Sequence, residues 1–191
     1  MLWTLFRVAL VAAGTIIAGL VVSVLAPDYR FWPPGERSWA YWLNWLLVAV
    51  FDLCMLGVSY LDWGSLGLPR PASLVVGAVT FGVGFAVAIL AGRDLGGEET
   101  TGLAGDLHTD GCYRYSRNPQ YVGYIVATVG WVLLADSRLV AVLGATFVVW
   151  QALLPFAEEP WLREQYGDAY EEYRREVPRF VGPTTVARLL S

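Results

Sequence analysis

Five apolar segments, each close to the length of a membrane-spanning helix, dominate this chain of 191 residues. A helix needs about 20 apolar residues to cross the hydrocarbon of a bilayer, with a range near 17–25. Backbone polar groups must be satisfied within the segment in lipid, so such segments fold as helices. The segments are Leu2–Ala26, Trp39–Leu61, Ala72–Ala91, Pro119–Ala135 and Leu139–Ala157. We therefore predict an all-α, polytopic membrane protein with about five transmembrane helices.

The composition supports one integral membrane domain over residues 1–191. Hydrophobic residues make up 56% of the chain and charged residues 16%, against about 45–50% and about 25% in soluble proteins. Residues 1–92 supply three spans, and residues 93–191 supply a polar loop, a helical hairpin and a C-terminal helix. The first segment is longer than the apolar region of a signal peptide, so we expect it to be retained. The net charge of −4 does not favour a nucleic-acid partner.

Arginine placement predicts the orientation. All thirteen basic residues are arginine, a bias typical of GC-rich coding or an acidic proteome. Only Arg7, Arg70 and Arg138 lie outside if the C-terminus is cytoplasmic, and cytoplasmic loops are the arginine-rich ones. We expect an external N-terminus in the cell membrane of a prokaryote, with the polar loop facing the cytoplasm.

The segment 109–123 is polar and aromatic although it lies between two apolar runs. Polar groups this close to lipid are costly and usually serve a site. Asn118 and Pro119 favour a helix start, because Asn is a preferred cap and Pro a preferred first residue. The free N–H groups of that helix end, beside Arg117, suit a carboxylate or phosphate. Alternatively, Asn118 and Pro119 only begin the helix and Arg117 only anchors it to headgroups.

The preceding loop, residues 102–108, contains two glycines and the single histidine. Such a loop brings its backbone close to a ligand, or it only connects two spans. It lacks the dinucleotide-binding pattern G-x-G-x-x-G. We expect His108 to be exposed rather than to act as a base, and one histidine with two separated cysteines predicts no metal site.

Carboxylates mark two further places. Glu158 and Glu159 close the fifth span, where negative charge opposes the helix dipole, so they need Arg163, Arg117 or a cationic ligand as a partner, unless water solvates them. Asp52 lies in the middle of the second span. An intramembrane carboxylate is a functional candidate, or it forms a hydrogen bond within the helix bundle.

The polar tail 160–177 predicts an amphipathic helix that ends at Pro178. Tyr166, Tyr170, Tyr173 and Val177 recur at helical spacing on one face. This helix lies along the membrane interface or packs on the inner loops, and its tyrosines are also suited to line a pocket.

Together these pieces resemble the isoprenylcysteine carboxyl methyltransferase and phospholipid methyltransferase superfamily over residues 105–181. The motifs, in order, are Thr109-x-Gly111-x-Tyr113, Arg117-Asn118-Pro119-x-Tyr121-x-Gly123, Glu158-Glu159, Tyr166-Gly167-x-x-Tyr170-x-x-Tyr173 and Val177-Pro178-Arg179. The resemblance implies S-adenosylmethionine as cofactor and a lipophilic methyl acceptor.

The resemblance also implies a cofactor-binding set. Its members are Gly105, Asp106, Leu107, His108, Tyr113, Asn118, Pro119, Gln120, Tyr121 and Glu158. No catalytic residue follows from the motifs, and Arg117, Glu159 and Asp52 remain candidates. Asn118 stands where the carboxyl methyltransferases have histidine, and Leu154 lies near the position of an arginine thought to bind the substrate carboxylate. These departures bear on a carboxylate substrate more than on the cofactor.

The leading hypothesis is a membrane-embedded methyltransferase that uses S-adenosylmethionine and methylates an isoprenylcysteine-like carboxylate or a phospholipid amine. One alternative is an NADPH-dependent membrane reductase of the sterol or steroid type. The other is a non-enzymatic membrane assembly factor, which predicts no cofactor. Membrane lipids are expected partners, and the oligomeric state does not follow from the sequence.

Overall fold

The computed structural model describes residues 1–26 and 28–190, and over this part of the chain the fold is all-α, as predicted. A short 3-10 turn over Gly111–Arg114 precedes the fifth helix. The helices are α1 (Leu2–Leu25), α2 (Trp39–Leu61), α3 (Ala72–Leu95), α4 (Gly97–Thr100), α5 (Pro119–Ala135), α6 (Arg138–Tyr166), α7 (Asp168–Glu176) and α8 (Pro183–Leu190).

Four of these helices, α1, α2, α3 and α6, are long and apolar enough to cross a membrane. Helix α5 is apolar and has 17 residues, the lower limit for a span. The polytopic prediction is confirmed. The predicted bounds match α2 and α5, and α1 ends one residue early, whereas α3 continues past the predicted span to Leu95.

Helices α3 and α5 pack closely through glycines. A Cβ atom at Gly84 would lie 2.3 Å from the backbone nitrogen of Ala127. A Cβ atom at Gly123 would lie 2.5 Å from the backbone nitrogen of Ala88, and Gly130 meets α3 just as closely. Small residues at such contacts let two backbones approach, which drives helix association where lipid removes the hydrophobic effect.

Helices α1, α2 and α6 form the other side of the bundle. Their interface buries Ile16, Leu20 and Leu143, and the ring of Phe51 in α2 lies 5.8 Å from that of Trp150 in α6. The two halves of the bundle meet where α5 packs against α6. Between α2 and the α3–α5 pair lies a cavity.

The C-terminal third differs from the sequence prediction in three ways. Helix α6 does not end at the paired glutamates but continues through Pro155 and Pro160 to Tyr166. The predicted helix 160–177 is instead the end of α6 followed by α7, because Gly167 has φ +55°, which interrupts the helix. Helix α8 was not predicted.

The continuation of α6 still leaves the glutamates near the membrane surface. A hydrocarbon core of about 30 Å takes about 20 helical residues. Counted from Arg138, that length ends at Ala157, immediately before Glu158 and Glu159. The predicted position of the two carboxylates therefore agrees with this geometry, whereas the predicted helix end was wrong.

The glycine contact between α3 and α5 predicts opposite effects for two neighbouring substitutions. Gly84→Ala should destabilise the protein by about 1–3 kcal/mol, because its methyl group overlaps the α5 backbone. Gly82→Ala, on the same helix with nothing within 4 Å, should be neutral or stabilising by up to about 1 kcal/mol. Unfolding of both variants in detergent measures this difference, and equal effects would contradict the close packing.

Candidate active site

The two adjacent glutamates of α6 have different surroundings. Glu158 accepts hydrogen bonds from the indole Nε1 of Trp32, at 2.6 Å, and from the hydroxyl of Tyr121. No described residue forms an ion pair with it. Its carboxylate therefore joins the α1–α2 loop, α5 and α6 without a neutralising cation, and it lines a polar cavity.

Glu159, by contrast, is the centre of an arginine cluster. Its side chain accepts from Arg179 at 2.6 and 2.8 Å and pairs with Arg117 at 2.9 Å. Arg163 lies 3.8 Å away. The residue is only 4% exposed, so each charge depends on the others for compensation. Of the partners predicted for the glutamates, Arg117 and Arg163 are therefore found at Glu159, and Arg179 was missed.

The C-terminal segment is tied to the start of α5 by these charges and by hydrogen bonds. The Nδ2 atom of Asn118 donates to the backbone oxygen of Arg179 at 2.9 Å, and the Arg117 amide donates to the oxygen of Pro178 at 2.9 Å. Asn118 occupies the cap position, but its side chain makes no capping hydrogen bond. The predicted cap interaction is therefore wrong, because the side chain binds the C-terminal segment instead.

The tyrosines of the tail close the polar cavity. Tyr170 and Tyr173 of α7 are buried beside Tyr113, and the hydroxyl of Tyr173 donates to the backbone oxygen of Tyr113 at 2.7 Å. Burial raises the pKa of Tyr170 to about 12 and also raises that of Tyr113 above its ordinary value. These phenols therefore remain neutral. Of the face predicted from helical spacing, Tyr170, Tyr173 and Val177 are buried, and Tyr166, at the end of α6, is partly buried against them.

Eight of the ten residues predicted to bind a cofactor line this one polar cavity. They are Asp106, Leu107, His108, Tyr113, Asn118, Gln120, Tyr121 and Glu158. Gly105 and Pro119 do not line it. Gly105 accepts from Tyr166 through its backbone oxygen at 2.7 Å, and Pro119 is buried at the first turn of α5. Arg117 and Glu159 line the same cavity, whereas the third catalytic candidate, Asp52, does not.

Sequence reasoning missed the contribution of the α1–α2 loop. Trp32 holds Glu158, and Pro33 lines the polar cavity. The available signal was the run Phe31-Trp32-Pro33-Pro34, a concentration of aromatic and proline residues in a short loop between spans. Glu99, from α4, also lines the cavity and was missed because its helix has only four residues.

The residues of the polar cavity suit a zwitterionic, aromatic cofactor. Two buried nitrogens in it, Nε2 of His108 and Nε of Arg117, have no hydrogen-bond partner among the described residues. The carboxylate of Glu158 is not paired with a cation. The tyrosines that line the cavity offer flat apolar surfaces. This donor set fits a ligand with a cation, a carboxylate and a planar ring, as S-adenosylmethionine has.

A second cavity, apolar and about 460 Å³ in volume, adjoins the polar one. Thr100, Gln120 and Tyr121 line both cavities. Leu56 of α2 and Phe85 of α3 line the apolar cavity and are 50% and 45% exposed. The apolar cavity therefore reaches the lipid-facing surface between α2 and α3, and its inner end meets the polar cavity at Tyr121.

Comparison with known proteins identifies the family of this chain. The family model of the phospholipid methyltransferases matches residues 72–169, just over half of the chain. The chain belongs to the phospholipid methyltransferase family. This confirms the resemblance seen in the sequence motifs, and the matched region begins at α3, well before the first motif.

Individual relatives match a shorter part of the chain. The protein-S-isoprenylcysteine O-methyltransferase of Schizosaccharomyces pombe is 38% identical over 74 residues, which are 38% of this chain and 31% of that protein. Protein-S-isoprenylcysteine O-methyltransferase B of Arabidopsis thaliana is 33% identical over 75 residues, 38% of this chain and 37% of that protein. The chain thus spans about a third of the length of these relatives. No solved structure matches it significantly.

The arginine cluster predicts an uneven response to charge removal along α6. Glu159→Gln should destabilise the protein by about 3–5 kcal/mol, because it leaves the buried guanidinium of Arg117, whose side chain is 8% exposed, without its counter-charge. Glu164→Gln, five residues further along, removes the exposed pair with Arg30, in which Glu164 is 70% exposed, and should change stability little. Unfolding in detergent tests both variants, and a small effect at Glu159 would contradict the structural role of the cluster.

Proposed function

We propose that this chain is a membrane-embedded methyltransferase that uses S-adenosylmethionine and acts on a lipophilic acceptor. The observation that carries the proposal is the meeting of the polar and apolar cavities at Gln120 and Tyr121. A charged, water-soluble donor and a lipid-soluble acceptor need separate entrances and one common point. Membership of the phospholipid methyltransferase family supports the same activity.

In this proposal the polar cavity holds the cofactor. The unneutralised carboxylate of Glu158 receives its cationic part, and Arg117, with an unpartnered Nε atom, receives its carboxylate. Tyr113 and Tyr170, which line the cavity, would hold the adenine ring between apolar surfaces, and Asp106 would accept from the ribose hydroxyls. The predicted binding residues thus have roles that follow from their charge and shape.

S-adenosylmethionine supplies a methyl group that is bonded to a positively charged sulfur. When that methyl group is transferred, the rest of the molecule leaves as a neutral thioether. The protein therefore has mainly to orient the acceptor and exclude water. Tyr121 stands at the common wall, and its hydroxyl is held by Glu158. That bond fixes the ring between donor and acceptor, which makes Tyr121 a positioning residue.

Acid–base chemistry has little place in this mechanism. Both oxygens of Glu159 are engaged by arginines, so we assign it a structural role rather than that of a base. A carboxylate acceptor needs no base, whereas an amine must first lose a proton. An isoprenylcysteine-like carboxylate and a phospholipid amine are the two acceptor classes that we propose. Leu154, which lines the apolar cavity, offers no cation to a carboxylate.

The reductase alternative is less well supported. NADPH carries a 2′-phosphate that needs local positive charge. Among the described residues that line the polar cavity, the basic ones are Arg117 and His108. Arg117 is paired with Glu159, which leaves its Nε atom to donate to a carboxylate but leaves little net charge for a phosphate. The charge balance therefore favours a cationic cofactor over a polyanionic one.

We infer that the polar cavity faces the cytoplasm, where S-adenosylmethionine is made. Support comes from the arginines on the loops around it, since cytoplasmic loops are richer in arginine. The proposed location is the cell membrane of a prokaryote, as expected from the composition.

Cofactor titration tests the proposal. The purified chain should bind S-adenosylmethionine in preference to NADPH. Glu158→Gln should weaken that binding by about tenfold to a hundredfold, the value of a hydrogen bond or contact to a charged group, because it keeps the shape and removes the charge. Tyr121→Ala should also weaken binding, while Glu164→Gln serves as the matched charge control.

Calorimetry or fluorescence in detergent gives the dissociation constants. Binding of NADPH without binding of S-adenosylmethionine would replace the proposal with the reductase. Binding of neither cofactor by folded protein would favour the assembly factor. Equal affinities in Glu158→Gln and wild type would remove Glu158 from the cofactor site.

A further inference from the structure

Three polar side chains that line the apolar cavity, those of Asn44, Asp52 and Gln151, make no hydrogen bond with a described residue. Asp52 of α2 lines this cavity, and no described residue donates a hydrogen bond to its carboxylate. Gln151 of α6 lines it too, is 5% exposed, and its buried Oε1 atom has no partner. The predicted alternative for Asp52, a hydrogen bond within the bundle, is therefore not what the structure has.

Asp52 and Gln151 lie at the same depth. The residue before each of them belongs to one aromatic contact, because the rings of Phe51 and Trp150 are 5.8 Å apart. Both side chains that follow line the apolar cavity. They therefore form a polar level within walls that are otherwise mostly apolar, contributed by two different helices.

This level lies about 10 Å below the junction of the two cavities. On α2, Trp45 marks the junction because its Nε1 donates to the backbone oxygen of Thr101 at 3.3 Å, and Asp52 is seven residues further along. On α6, Glu158 marks the junction and Gln151 is seven residues before it. Seven helical residues rise about 10 Å, so counting along α2 and along α6 gives the same distance from the junction to the polar level.

The hydrogen-bonding groups at this level determine which kind of ligand can bind there. Gln151 is buried, and a polar group buried without a hydrogen bond costs about 1–3 kcal/mol. Asp52 is exposed, but it lies within a membrane span, where a carboxylate without a partner is also costly. The carboxylate of Asp52 only accepts hydrogen bonds, whereas the amide of Gln151 can accept through its unpartnered Oε1 atom and donate through its nitrogen. None of the described residues that line the apolar cavity is basic. The ligand must therefore bring a hydrogen-bond donor to this depth, and it must not bring a negative charge.

We infer that the acceptor carries a hydroxyl or amine about 10 Å from the atom that is methylated, and that this group donates to Asp52 and Gln151. The inference rests on the proposed function and narrows it: among acceptors that present a carboxylate or an amine at Tyr121, it selects those that carry a second, hydrogen-bond-donating group within the apolar body. A plain hydrocarbon tail would leave both oxygens without a donor. The acceptor is therefore a bifunctional lipophilic molecule, with one polar group at Tyr121 and a second within its apolar body.

Binding of two model compounds tests the inference. The probes are a ten-carbon α,ω-diol and the ten-carbon monoalcohol, added to the full chain in detergent. Four tryptophans line the cavity, namely Trp32, Trp45, Trp131 and Trp150, so intrinsic fluorescence reports binding. Wild type should prefer the diol by about tenfold, the value of one hydrogen bond to a charged acceptor.

The variants locate that preference. Asp52→Leu should reduce the diol-to-monoalcohol ratio about tenfold, Gln151→Leu should reduce it in part, and Asp52→Asn, which keeps an acceptor oxygen, should restore part of it. Leu53→Ala, next along α2 and facing away from the cavity at 68% exposure, is the matched control. Comparing one ratio across variants cancels the different partition of the probes into micelles.

An unchanged ratio in both Asp52→Leu and Gln151→Leu would overturn the inference, as would no preference in wild type. If Asp52→Leu does not fold, the diol-to-monoalcohol ratio of Gln151→Leu alone tests the inference. Titration of S-adenosylmethionine in the same preparations separates this result from the proposed function. Loss of cofactor binding with an intact diol preference would overturn only the function, and the reverse result would overturn only the inference.

Discussion

The buried cluster of Glu159 with Arg117 and Arg179 is the interaction on which the site depends. One carboxylate that is 4% exposed compensates guanidinium groups from the start of α5 and from the C-terminal segment. Burial makes the charges of Glu159 and Arg117 costly alone, and Arg179, which is partly exposed, adds the C-terminal segment to this pair. The adjacent carboxylate of Glu158 is thereby held at the cavity without a cation of its own.

The bilayer supplies the second constraint, since it sorts the two cavities by polarity. The polar cavity lies where α6 leaves the hydrocarbon, beneath the tyrosines of α7. The apolar cavity lies within the span and reaches lipid between Leu56 and Phe85. The glycine contacts bring α3 and α5 close together along one side of the apolar cavity. Tyr121 on α5 lines both cavities. The architecture therefore places a polar and an apolar cavity side by side, with Tyr121 in the wall that they share.

Local physical rules in the sequence account for the helices and for much of the polar cavity. Apolar length predicted α1, α2 and α5, and the motifs around Tyr113, Tyr121 and Glu158 predicted residues that line one cavity. The failures lie where distant contacts decide the local structure. Helix α6 crosses two prolines because its glutamates are bound from other elements, and Asn118 binds the Arg179 backbone instead of capping. Trp32 was missed because no local pattern links it to a residue 126 positions away.

Methyl transfer tests the central claim, that one protein brings a polar donor and a lipophilic acceptor together at Tyr121. The purified chain would be incubated with S-adenosylmethionine labelled in its methyl group and with a lipid extract from membranes. The account predicts label in the organic phase with wild type, and at least tenfold less with Tyr121→Ala when the cofactor is saturating. No label in the organic phase, from folded protein saturated with the cofactor, would contradict it.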